Sequence, residues 1–122
     1  MAIEVGSTIP MTAKIGYPGG DHYEVNGESF QQYEVANAEA MFGGTRVVIF
    51  ALPGAFTPVC TTKQFPEFEA KYEELVAAGV DDVYCISVND PYVMGAWETF
   101  VEMADDITET KVKLLSDGNA EI

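Results

Sequence analysis

The run Val47-Val48-Ile49-Phe50-Ala51-Leu52, opened by Arg46 and closed by Pro53-Gly54, restricts the possible folds more than any other stretch. An apolar run of this length without alternation reads as a strand buried on both faces, as in a parallel sheet. Parallel pairing in turn demands long crossover connections. After the Pro-Gly turn, Thr57 suits an N-cap and Pro58 the first helical position, where its missing N–H costs nothing. Cys60 therefore falls in the first turn of a helix. Unpaired backbone N–H groups and the positive end of the helix dipole favour a thiolate there.

The helix alone is not enough. A helix terminus supplies roughly 0.3 to 1 kcal/mol, less than the about 1.4 kcal/mol that a tenfold change in ionisation requires. A second cation is needed. Lys63 lies three residues on, on the same helical face, and helical side chains lean back toward the preceding turn. A solvated ammonium is a weaker partner than a fixed guanidinium.

The rest of the chain supports one α/β domain. Its 122 residues are 48% hydrophobic, enough for a real core, and carry a net charge of −14. That charge excludes nucleic acid and anionic membrane surfaces as expected partners, since both need a basic face. Met1 to Gly6 has no basic and apolar leader pattern, and no apolar run approaches the roughly 18 to 20 residues of a membrane span. A cytoplasmic location is expected. Two cysteines without CxxC or metal-finger spacing agree with a reducing compartment, and neither a metal nor a cofactor is expected.

Between Ile3 and Tyr33 the signals are short and β-like. Met11, Ala13 and Ile15 alternate with polar residues, Pro18-Gly19-Gly20-Asp21 predicts a turn, and Tyr23 and Val25 alternate toward a second turn at Asn26-Gly27. His22, the only histidine, reads as an exposed turn residue rather than a base. Gly16 to Gly20 lacks phosphate-loop spacing. Val35 to Phe42 predicts a short helix closed by Gly43-Gly44. Past Cys60, Phe65, Phe68, Tyr72, Leu75 and Val76 recur at helical spacing, with Gly79 ending the helix. Pro66 interrupts that pattern early and predicts a kink that leaves the cysteine-bearing turn partly independent. Val83 to Val88 is a second strand, followed by Asp90 as N-cap and Pro91 at the first helical position. A helix with Trp97 on its core face follows, and Lys111 to Ser116 is a third strand, turning at Asp117-Gly118-Asn119. Strand, helix and strand in this order predict right-handed parallel crossovers, with the active-site turn after the carboxyl end of its strand.

The string Pro53-Gly-Ala-Phe-Thr57-Pro-Val-Cys60 resembles the peroxiredoxin pattern P-x-x-x-T-x-x-C. The longer LPGAFTPVC, with Ser87-Val88-Asn89-Asp90 downstream, is similar to the type-five subfamily. The resemblance covers most of the chain. It implies a thioredoxin-like fold, a central mixed sheet flanked by helices, in a single domain over residues 1–122. It also implies a thiol peroxidase acting on hydrogen peroxide and small alkyl hydroperoxides. Cys60 would be the peroxidatic nucleophile, Thr57 the hydroxyl bonding thiolate and peroxide, and Pro53 the shield against water. Two positions depart from the pattern. Gln64 stands where many type-five members carry histidine. The family arginine, from a strand beyond Ser116 to Asn119, has no counterpart before Ile122, and Arg46 does not match it. The expectation is a domain lacking its C-terminal strands and helix.

Cys85 has two readings: a resolving partner of Cys60, or a small apolar residue in a buried strand. The inertness of a thiol in an apolar strand favours the second. The resemblance then implies an external thiol, glutathione with glutaredoxin or else thioredoxin, and a homodimer formed through loops near the active site. The alternative function is a catalytically impaired thioredoxin-fold remnant, or a redox-sensing or binding module lacking the family arginine.

Overall fold

Asn26 and Gly27 both adopt positive φ, 52° and 84°, the geometry that lets a two-residue turn match the twist of paired strands. They join β1 (Lys14–Val25) to β2 (Glu28–Asn37) as an antiparallel hairpin. The computed structural model describes residues 4–104 and 109–118, with the side chains of 18–22, 30 and 31 outside that description. The side chain of His22 and the residue Asn119 thus lie outside the described residues. The turn predicted at Pro18 to Asp21 is instead a register shift inside β1, between Pro18 and His22.

The predicted helix over Val35 to Phe42 starts later. Val35, Ala36 and Asn37 still pair with Gly16, Ile15 and Lys14, because a β-branched residue opposite a partner strand favours the ladder over a short helix. Asn37 then caps α1 (Ala38–Phe42), its Oδ1 accepting from the Ala40 N–H at 2.8 Å.

β3 (Val47–Ala51) pairs parallel with β4 (Asp82–Ser87), β4 pairs parallel with β5 (Lys113–Ser116), and β5 pairs antiparallel with β1. The described sheet is mixed, in the order β2-β1-β5-β4-β3. The fold is thioredoxin-like, a mixed sheet flanked by helices. One expectation is met only in part: β3 lies at the edge of the described sheet, with Val48 and Phe50 on one core layer and Val47 and Ile49 against the other, and only Phe50 among them is buried. The doubly buried strands are β4 and β5. β5 is also shorter than predicted, since the backbone N–H groups of Lys111 and Val112 donate to the Glu69 carboxylate instead of to a neighbouring strand.

Side-chain alternation divides the core into two layers. Phe50, Val83, Cys85 and Leu114 point to the face covered by α2 (Phe65–Ala77) and α3 (Pro91–Ala104), where Phe65, Met94, Trp97 and Val101 meet them. Tyr84, Ile86 and Leu115 point to the other face, with Ala13, Ile15 and the α1 residues Ala38 and Phe42. Gly16 lets β1 approach the start of α3: a Cβ there would lie 2.5 Å from Pro91 Cγ. The carboxyl ends of β3 and β4 consequently open on the same side, with the loops that lead into α2 and α3.

Candidate active site

The chain leaves β3 at Ala51, and Leu52 stays joined to the sheet through its N–H to the Ile86 carbonyl at 3.2 Å. Pro53 is exposed, and Phe56 takes φ of 64°, a left-handed conformation that a bulky side chain adopts only at a cost of order 1 kcal/mol or more. Helical structure begins at Pro58, as the sequence predicts. Thr57, however, does not cap it with its side chain in the expected way. Its hydroxyl donates to the Gly54 carbonyl at 2.7 Å and closes the loop on itself. The Thr61 N–H reaches the Thr57 carbonyl at 3.0 Å, the first bond of the helix. The N–H groups of Val59 and Cys60 precede that bond and have no partner within the helix.

From Cys60 to Gln64 the helix widens into a π turn, closed by the Phe65 N–H on the Cys60 carbonyl. Single π turns of this kind concentrate at functional sites. Pro66 explains the position of the irregularity, because it has no N–H to offer Thr62 and an α-helical ladder cannot continue through it. The disturbance predicted at Pro66 takes the form of a change of helix type in the cysteine-bearing turn.

Three side chains pin the loop and turn. Asn89 Oδ1 accepts from the Ala55 N–H at 2.8 Å and from Ser87 Oγ at 2.7 Å, stapling the active-site loop to the end of β4. Gln64 Nε2 donates to the Ala51 carbonyl at 2.8 Å, tying the end of the π turn to the end of β3. Trp97 Nε1 donates to Thr61 Oγ1 at 3.1 Å, tying the turn to α3. In the sequence Asn89 stands out only as part of a likeness, Gln64 only as a departure from it, and Trp97 only as core. A buried indole always needs an acceptor, and that was the available signal for Trp97.

Cys60 is 3% exposed and Cys85 fully buried, and both are free thiols in one apolar cluster. Burial, with a smaller contribution from Cys60, pushes the Cys85 thiol up to about 12, so Cys85 stays protonated and unreactive at neutral pH. Lys63 is exposed on the π turn. Arg46 stands at the opposite end of β3, about 16 Å away by strand rise, where its backbone N–H bonds Asp81. A strongly displaced carboxylate among the described residues lies elsewhere. Glu98 on α3 is raised to about 7 by burial first, then by Glu102, Glu109 and Glu69, with a bond from Thr110 opposing. A groove on the outer face of α2, lined by Glu67, Phe68, Lys71 and Leu75, does not include Cys60. Among the described residues no group of three or more His, Cys, Asp or Glu side chains is placed to hold a metal ion. Among them also, no helix is long and apolar enough to cross a membrane.

The site is thus a buried sulfur at the start of a helix, beside a loop that holds Phe56 in a left-handed conformation. Comparison with known proteins gives this geometry a context. The chain is 44% identical over 97 residues to a peroxiredoxin of Sinorhizobium fredii and 46% identical over 97 residues to one of Synechocystis, in each case over 80% of this chain and 48% of the relative. It thus spans about half the length of these curated relatives. An X-ray structure from Burkholderia cenocepacia superposes with a TM-score of 0.78 at 37% identity, over 98% of this chain and 66% of that one. Reduced Prx3 of Vibrio vulnificus in complex with H2O2 gives 0.73 at 31%, over 98% and 62%. Peroxiredoxin 5 of Alvinella pompejana gives 0.67 at 29%, over 98% and 66%. The Redoxin family model matches residues 5–122, and the chain therefore belongs to the Redoxin family.

Proposed function

We propose that the chain is a peroxiredoxin of the type-five kind, a thiol-dependent peroxidase for hydrogen peroxide and small alkyl hydroperoxides with Cys60 as its nucleophile. The observation that carries the reading is the Pro53 to Cys60 loop, which sets the Cys60 sulfur on the first turn of a helix, whereas Cys85 lies within the strand β4.

The Cys60 thiolate attacks one peroxide oxygen in line with the O–O bond. That bond breaks, the sulfur is oxidised to a sulfenic acid, and the leaving oxygen takes a proton and departs as water or alcohol. The N–H groups of Val59 and Cys60 stabilise the charge that develops on the oxygens. Thr57 has its hydroxyl proton committed to Gly54, so its oxygen offers lone pairs and accepts from the O–H of the incoming peroxide. Pro53 and Phe56 flank the entrance. A first external thiol condenses with the sulfenic acid, releasing water and leaving a mixed disulfide, and a second thiol displaces Cys60 as a disulfide forms between the two reductant molecules. Glutathione with glutaredoxin, or thioredoxin, fits this role, because Cys85 is protonated and enclosed in the strand. The exposed apolar residues Phe56, Val59, Val88, Tyr92 and Phe100 beside the site support a homodimer through this face.

A second reading, an impaired remnant or redox sensor, is favoured by one observation: Arg46 is placed at the far end of β3 from Cys60. Single-turnover peroxide consumption separates the two. Rapid stoichiometric consumption that falls at least a thousandfold in Cys60→Ser, and stays within about threefold in Cys85→Ala, is the expected result. Consumption at the rate of free cysteine, rising sharply in a chain extended past Ile122, would support the remnant.

A further inference from the structure

We infer that the indole N–H of Trp97 is a positioning group for Cys60, acting through the hydroxyl of Thr61 to hold the π turn in register. The inference rests on Cys60 being the peroxidatic sulfur. Trp97 is fully buried, and its Nε1 can only donate; its acceptor, at 3.1 Å, is the side chain of the residue that follows Cys60. The same indole meets the Phe65 ring edge-on at 5.3 Å between centroids. Phe65 is the residue whose N–H closes the π turn on the Cys60 carbonyl. One side chain of α3 therefore holds the turn near both ends, by a hydrogen bond at Thr61 and by ring contact at Phe65.

Register matters because of helix geometry. One residue of an α-helix is about 100° of rotation, so relaxing the π turn to α-helical spacing swings Cys60 by that angle relative to α2. Such a swing carries the sulfur away from the Pro53 to Thr57 loop. Gln64 restrains the turn from the β3 side through the Ala51 carbonyl in an exposed bond, whereas the Trp97 bond is part-buried and its donor lies in the core. Trp97 is a positioning group and acts on the turn through Thr61 and Phe65.

The test compares Trp97→Phe, Thr61→Val, Thr61→Ser and the Trp97→Phe/Thr61→Val double variant. Two rates are measured: single-turnover peroxide consumption, and alkylation of position 60 by iodoacetamide, mapped by mass spectrometry. Removing either partner is expected to slow peroxide consumption and to quicken alkylation, each by about fivefold, the factor expected for one net hydrogen bond. Thr61→Ser restores both rates, and the double variant is no worse than either single one. Effects that add in the double variant, or rates within twofold of the parent in folded Thr61→Val, would overturn the inference. Should Trp97→Phe fail to fold, Thr61→Val against Thr61→Ser decides by the same criteria. If the parent consumes no peroxide, the peroxidase reading falls while the alkylation rates still decide whether the tether exists.

Discussion

β3 with α2 and β4 with α3 are built on one plan, a parallel strand, a loop and a helix opening on proline, yet the two junctions differ in kind. Asp90 caps α3 conventionally: its Oδ1 accepts from the N–H groups of Tyr92 and Val93 at 2.9 and 3.0 Å, and the helix is regular from Pro91 onward. Thr57 leaves that work undone. Its hydroxyl turns back to Gly54, the loop holds Phe56 in a left-handed conformation, and the helix passes through a π turn before it becomes α2. The junction whose backbone groups are satisfied is scaffold. The one that leaves donors open, beside a cysteine, is where chemistry can be done.

Asn89 connects the two junctions, and removing it gives the largest expected effect on the comparison. Asn89→Ala strands the Ala55 N–H and the Ser87 hydroxyl, so the protein should lose about 1 to 3 kcal/mol in urea denaturation. Peroxide consumption should fall about tenfold as the loop drifts. A variant that is destabilised without slowing would show that the loop does not need the second junction. Asp90→Ala should do the reverse, costing about 1 kcal/mol of stability, or about 4 °C in Tm, while leaving the peroxide rate within twofold. A large loss of rate there would erase the distinction between scaffold and site.

The smallest effect concerns charge. Glu98, on α3, has an ordinary value of 4.5 that rises to about 7 in the folded chain, through burial and then the neighbouring carboxylates Glu102, Glu109 and Glu69. Between those values the folded chain binds more protons than the unfolded one. The contribution of neutral Glu98 is therefore full below about pH 4.5 and is lost as pH rises through about 7. Glu98→Gln keeps the neutral form, and after allowance for solvent screening it should stabilise by about 1 kcal/mol at pH 8 and by nothing measurable near pH 4.5. Denaturant midpoints at the two pH values check this. Equal gains at both would show that the effect is packing and not ionisation.

Local chemistry made both junctions legible in advance. Thr57-Pro58 and Asp90-Pro91 mark helix starts because proline has a fixed φ and no N–H to lose, and Asn26-Gly27 marks a hairpin because those residue types tolerate positive φ. Pro66 disclosed that the helix would be disturbed, though not that the disturbance would be a π turn. The errors share one cause. Val35 to Asn37 reads as helix and joins β2, and Val47 to Leu52 reads as fully buried but lies, partly covered, at the edge of the described sheet, because each outcome depends on which strand lies alongside. Gln64 and Trp97 could not be assigned their partners, since Ala51 and Thr61 lie 13 and 36 residues from them in the chain.

Residue order alone determined that a sulfur would stand at the opening of a helix, because proline, threonine and the Pro-Gly break act over a few neighbouring residues. Only the tertiary structure decided which side chains hold that opening in place and which strand lies outermost. Hydrogen bonds between segments distant in the chain depend on how the sheet is ordered, and sheet order is a property of the packed whole.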